Sequence, residues 1–307
     1  TLSPESVIEA DNRRWLAIHS AARDGHADVV KLLAALSPES VSKADRDRWL
    51  AIHFAADNGH ADVVEVLASL SPESVSAAGN NGDLAIHLAA LQGHADVVEV
   101  LAALSPESVS KADSDGDLAI HYAAGAGHAD VVRLLASLKP ESVIAATNRG
   151  ELPIHLAALQ GHADVVEILA SLSPESVSAA DSRGWLAIHY AALKGHADVV
   201  EVLAALSPES VSAATNRGEL AMHFAAHQGH ADVVEILASL SPESVSAAIG
   251  DGRLPIHLAA QRAHAAVVEL LASLNPETVS AADAAGRLAT DLAAENGHQE
   301  IVDLLAR

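Results

Sequence analysis

Cysteine is absent from the 307 residues, which excludes a disulfide framework and any thiolate chemistry. Aromatic residues are nearly absent too, at 2% of a chain that is 50% hydrophobic, so Ala, Leu and Val supply the apolar mass. That composition suits thin elements packed closely and not one thick core. No stretch approaches the roughly 18 uninterrupted apolar residues of a membrane span. Bases are scarce: 18 Lys and Arg against 41 Asp and Glu give a formal charge of −23. Such a chain repels phosphate backbones unless its bases gather on one face, so nucleic acid and membrane are not expected partners. The opening TLSPESVIEADNRRW lacks Met and an apolar signal core, and reads as a processed or trimmed start.

What the chain has is one phrase repeated. LSPES starts at Leu2, Leu36, Leu70, Leu104, Leu172, Leu206 and Leu240, with LKPES at Leu138 and LNPET at Leu274. Nine 34-residue units follow, at 2–35, 36–69, 70–103, 104–137, 138–171, 172–205, 206–239, 240–273 and 274–307, as a single array. In the unit 172–205, LAIHYAALK has the pattern of a short helix that Gly195 stops. HADVVEVLAAL has that of a second helix, with Val199, Val200, Leu203 and Leu206 as its apolar stripe. Pro208 ends it, in a short 3₁₀-like turn. AADSRG marks a protruding turn whose Gly184 takes a positive φ. Helices of about ten residues are unstable alone in water. Each unit must bury its faces against the next, which predicts an all-α solenoid.

The turn D-x-x-G, then L-A-I-H-x-A-A, G-H and V-V-E-V-L make the sequence resemble the ankyrin repeat family across its whole length. The resemblance implies stacked helix–turn–helix units, a concave binding face and protein partners. LAIH or LPIH stands where the family usually has TPLH, and SPES makes the unit one residue longer. The last unit is more polar (Asp291, Thr290, Gln299, Glu300 at framework columns), as a capping repeat requires. The other units are nearly identical outside a few columns, which points to a consensus-designed array.

Seventeen of the eighteen histidines occupy two framework columns, His19 to His257 in LAIH and His26 to His298 in GH. A catalytic or metal site is one constellation and not the same pair in every unit. The expectation is therefore backbone hydrogen bonding by these imidazoles, with no metal, no cofactor and no enzyme activity.

Function is expected where the units differ. The variable columns are the turn tips and the end of the first helix, and 14 of the 18 bases lie in them. All three tryptophans, Trp15, Trp49 and Trp185, share one tip column. Trp and Arg dominate binding hot spots. The candidate partner-binding residues are these three with Arg13, Arg14, Arg46, Arg48, Arg149, Arg183 and Arg217 on the tips. Leu91, Leu159, Leu193 and Lys194 join them at the first-helix ends, as do Tyr122 and Tyr190, whose hydroxyls are expected to reach the groove. Arg14 and Arg48 replace the turn glycine, so they are either strained or in another turn shape. The leading expectation is a monomer that binds a protein or peptide. A designed scaffold without ligand and a natural ankyrin-type adaptor or effector are the alternatives.

Overall fold

A computed structural model describes residues 9–306. Among them there are eighteen α-helices in nine antiparallel-type pairs and no strand. The chain divides into two compact units between Pro153 and Ile154. The first holds first helices Ala17–Arg23, Ala51–Asp57, Ala85–Gln92 and Ala119–Ala126 with second helices Ala27–Leu36, Ala61–Leu70, Ala95–Leu104 and Ala129–Leu138. The second unit continues from the helix Pro153–Gln160 with first helices Ala187–Lys194, Ala221–Gln228, Pro255–Gln261 and Ala289–Glu295. Its second helices are Ala163–Leu172, Ala197–Leu206, Ala231–Leu240, Ala265–Leu274 and Gln299–Leu305. Within each unit, first helices pack on first helices and second helices on second helices.

The short first helices are buried almost all round, and their paired alanines (Ala55, Ala56, Ala89, Ala90) have no exposed surface. Small side chains there let neighbouring backbones approach. The second helices are amphipathic. Val199, Val200, Leu203 and Ala204 are buried, but Leu206 is half exposed. The expected stripe is thus too wide by one residue. At 100° per residue, Leu206 lies about 90° from the centre of the buried arc. After each of the first eight second helices the proline-led segment is a 3₁₀-helix, for example Pro208–Ser212. There Ser210 Oγ donates to the Ser207 carbonyl at 2.7 Å.

The LAIH imidazole does two jobs at once. The Nδ1 of His189 accepts the Leu186 amide at 2.9 Å, satisfying an orphan donor at the start of its own helix. Its Nε2 then carries the proton and donates to the Ala213 carbonyl of the following repeat at 3.0 Å. The same two bonds recur at His19, His53, His87, His121, His223 and His257. In the last repeat Asp291 Oδ2 accepts the Leu288 amide at 2.8 Å, so the carboxylate keeps the helix-start bond. The GH imidazole reaches backward. Nε2 of His230 donates to the Leu193 carbonyl at 3.2 Å, and its ring lies where a Cβ on Gly195 would sit, 2.5 Å away. Gly195 has φ +77°, so it ends the helix and leaves room for the neighbour's ring.

One position breaks that rule. Ala263 stands in the glycine column and still adopts φ +61°. A left-handed alanine costs about 1–2 kcal/mol. Ala263→Gly is expected to raise stability by about 1 kcal/mol, read as a higher midpoint in urea unfolding; a lower midpoint would contradict the strain.

Burial pushes the imidazoles of His121, His189 and His223 down to about 4, and lowers those of His19, His53, His87 and His257. An unfolded imidazole titrates near 6.5, so below that pH the unfolded chain takes up protons that the folded chain refuses. The stabilisation is complete above 6.5 and is lost as pH falls toward 4. Each fully shifted histidine costs up to about 1.4 kcal/mol per pH unit in that window. Urea midpoints measured at pH 7.5 and 5.5 should fall steeply toward the acid side; a flat profile would exclude the buried neutral imidazoles.

Candidate functional site

The tips are built by the residue that opens each turn. Asp45 Oδ1 accepts the amides of Asp47 and Trp49, both at 2.9 Å, and the Asp45 amide donates to the Trp49 carbonyl at 3.0 Å. Asp11, Asp113, Asp181 and Asp283 do the same, and Thr147 and Thr215 substitute a hydroxyl. Amides of Trp15 and Arg13 hold the Asp11 carboxyl below its ordinary range. The five tips of the first unit are joined in sequence by one backbone bond each, such as Arg46 amide to Arg13 carbonyl at 3.1 Å and Asn80 amide to Asp47 carbonyl at 2.9 Å, and in the second unit Asn216 amide donates to Arg183 carbonyl at 3.0 Å. The result is a row of side chains at fixed intervals. Arg14 and Arg48 keep this shape with φ of 62° and 64°, so the strained alternative is the one realised.

In the first unit the tips bring Arg13, Trp15, Arg46 and Trp49 around one pocket of about 640 Å³, closed by Phe54, Asp83 and Asn80. The Trp15 and Phe54 rings meet edge-on at 4.4 Å, and Trp49 stands 5.2 Å from the same phenyl ring. Both indole N–H groups are used, by Ser20 Oγ at 2.6 Å and by Asp83 Oδ2 at 2.8 Å. Each tryptophan is half-buried, with part of its surface facing the pocket. Arg13, Arg14, Arg46 and Arg48 are exposed and none is held in an ion pair. Arg149 is also exposed, three tips beyond.

Tyr122 is partly buried and its hydroxyl donates to Asp113 Oδ2 at 2.6 Å. Burial and that carboxylate raise its pKa. Beside it, burial and the charges of Asp113, Asp115 and Glu151 push Asp117 up to about 6. Leu91 is 39% exposed, and its carbonyl accepts from His128 at 3.0 Å.

In the second unit the candidates form a packed cluster. Trp185 meets Phe224 at 4.4 Å and Tyr190 at 5.2 Å. The Arg183 guanidinium lies 4.5 Å from the Trp185 ring and pairs with Asp181 at 3.0 Å. Tyr190 is only 3% exposed, and its hydroxyl donates to Asp181 Oδ2 at 2.9 Å. That hydroxyl is committed to its own turn and does not reach outward. Leu159 and Leu193 are half-exposed, while Lys194 and Arg217 are exposed. Carbonyls of Leu159 and Leu193 accept from His196 and His230.

Phe54 and Phe224 are not among the candidates, yet each meets a tip tryptophan at 4.4 Å. The missed signal is a 39-residue spacing: Trp15 with Phe54, and Trp185 with Phe224. Trp49, which has Leu88 at that spacing, uses Phe54 of its own repeat and Asp83 of the next tip.

A family model described as ankyrin repeats (3 copies) matches residues 3–76, 18–108, 70–143, 86–180, 140–213, 172–247 and 222–307. The chain belongs to the ankyrin repeat family. Among curated proteins no individual sequence matches it. Ankyrin repeats are in general protein-interaction modules, and the helix–turn–helix pairs of this chain are the family's architecture. Among the described residues of this ankyrin chain no helix is long and apolar enough to cross a membrane. No group of three or more His, Asp or Glu there could hold a metal ion.

Aromatic pairs contribute about 0.5–1.5 kcal/mol beyond their buried area. A double-mutant cycle of Trp15→Leu and Phe54→Leu should therefore give a coupling of about 1 kcal/mol by chemical denaturation. A coupling near zero would mean that the two rings merely lie close.

Proposed function

We propose that this ankyrin chain is a non-enzymatic binding module that takes a protein or peptide segment across its turn tips and first-helix ends. The pocket between Trp15 and Trp49 carries the reading. Its indole N–H groups are already satisfied, so what it offers a ligand is apolar ring surface. Two of its three acids are occupied as well, Asp45 by backbone amides and Asp83 by an indole, which leaves the exposed Asp47 carboxylate among four arginines. The four arginines on these two tips are not so occupied. Glycine holds the Arg14 and Arg48 column in the other seven turns. Two arginines are thus kept there against about 1–2 kcal/mol of backbone strain apiece. Strain of this kind collects at functional sites. The complementary ligand is a segment with a carboxylate next to an aromatic or branched aliphatic side chain.

The reading requires no cofactor, and the net charge of −23 disfavours nucleic acid. It treats the chain as a monomer whose ligand is a different polypeptide. The rival, a consensus-designed scaffold with no ligand, is favoured by repeated blocks such as TNRGEL at Thr147 and Thr215. It is also favoured by the internal packing of Trp185.

Selection from a displayed peptide library separates the two. The intact chain should enrich peptides that pair Asp or Glu with Phe, Tyr, Trp or Leu. Arg13→Ala with Arg46→Ala should weaken them by about 2 kcal/mol, roughly thirtyfold, without lowering the melting temperature. No enrichment, or equal binding by the variant, would favour the scaffold. Arg14→Gly and Arg48→Gly should each raise stability by about 1 kcal/mol and still weaken the selected peptides.

A further inference from the structure

The leucine that closes a second helix is exposed in both units, at Leu70, Leu104 and Leu138 as well as in the later repeats. Leu172, Leu206, Leu240 and Leu274 of the second unit are each about half exposed, between 48% and 53%. Nothing in the frame requires a leucine there, since that column contributes little to the buried arc. Leu206 lines a groove. Between the helices Ala163–Leu172 and Ala197–Leu206 the groove measures about 410 Å³, with buried Ala170 and Val177 in its lining and Pro174, Val202 and Leu206 beside them. The one charged residue lining it is Glu167.

The charge around this stripe has one sign. The second helices and 3₁₀ turns of residues 163–305 carry thirteen Asp and Glu and no Lys or Arg. Glu167, Glu201, Glu235 and Glu269 are exposed at the same place in successive helices. In the first unit the corresponding groove is smaller, about 260 Å³, and has Lys31 in the acid's place.

We propose that the leucine stripe of the second unit is a docking surface for an amphipathic basic helix of a partner protein. A second copy of the chain is disfavoured, because its own stripe would bring the same row of carboxylates. Packed helices lie about 8–10 Å apart, so the leucine grooves recur at about that interval. A helix advances about 10.5 Å in seven residues, so apolar residues at heptad spacing meet one groove each. Lys or Arg on its flanks then face the glutamate row. This surface shares no residue with the turn tips, so it stands whether or not the tips bind a ligand.

The probe is a fluorescein-labelled 21-residue synthetic helix with Leu at heptad positions and Lys on the flanks. A control has the same composition in scrambled order. Anisotropy at 150 mM salt on the full chain should show binding of the patterned peptide at least tenfold tighter than the scramble. Leu206→Gln with Leu240→Gln should cost at least tenfold while the helical circular dichroism and melting stay unchanged. Trp185→Ala should leave binding as it was. If the double variant folds poorly, Glu201→Lys with Glu235→Lys supplies the second arm and should weaken binding at least as much. Equal binding of the scramble, or insensitivity to both double variants, would reduce the effect to general attraction by an acidic surface and overturn the proposal. So would sedimentation of the chain alone as a dimer that Leu206→Gln with Leu240→Gln dissolves.

Discussion

The fold depends on an imidazole that accepts at one nitrogen and donates at the other. His189 takes the Leu186 amide on Nδ1, which forces the proton onto Nε2, where it reaches the next repeat's Ala213 carbonyl. One side chain therefore starts its own helix and ties that helix to its neighbour. Seven or eight residues of helix hold little stability by themselves. Because the start of each helix and its lateral attachment use the same ring, a repeat that loses its neighbour also loses the group that orients it. Neutral histidine can play this double part, and a carboxylate can play only the accepting half. Asp291 does that half, accepting the Leu288 amide.

With the repeats of each unit fixed in this way, the variable columns stand on a regular frame. Two surfaces emerge, with opposite electrostatic character. The first two tips expose arginines around a ring-lined pocket. The second-helix side of the second unit exposes carboxylates around leucines. A net charge near −23 hides this division, because the frame's acids outnumber the tip bases. Aromatic residues are few, and those present are clustered at tips, where Trp15, Trp49 and Phe54 share one contact.

Most of the fold was legible because the same pattern occurs many times. The repeat length, the helix pairs, the glycine stops and the proline-led 3₁₀ turns all follow from local propensity. Single positions were harder. Leu206 matched the heptad of its helix but sits beside the buried arc, because the neighbouring helix contacts the Val200 and Leu203 side. Tyr190 looked outward in the sequence, yet Asp181 lies in reach of its hydroxyl and draws it inward. Neither fact is local: each depends on what the adjoining turn or helix places opposite. The tip residues were legible as a set, by their variability. Their division into packed and open members was not, since Trp15 and Trp185 carry the same letter in the same column. Trp185 packs against both Tyr190 and Phe224, whereas Trp15 borders a pocket.

The ring of a GH histidine fills the space left by the glycine one repeat earlier, as His230 does over Gly195 and His264 over Gly229. Repeats that keep this glycine and histidine thus share the same socket and the same plug. Removing or duplicating any internal block of 34 residues would rejoin matching halves. The number of repeats is in this sense an inheritable variable, open to recombination, and the span of ligand that such a protein can cover can change in one genetic step without a new interface having to evolve.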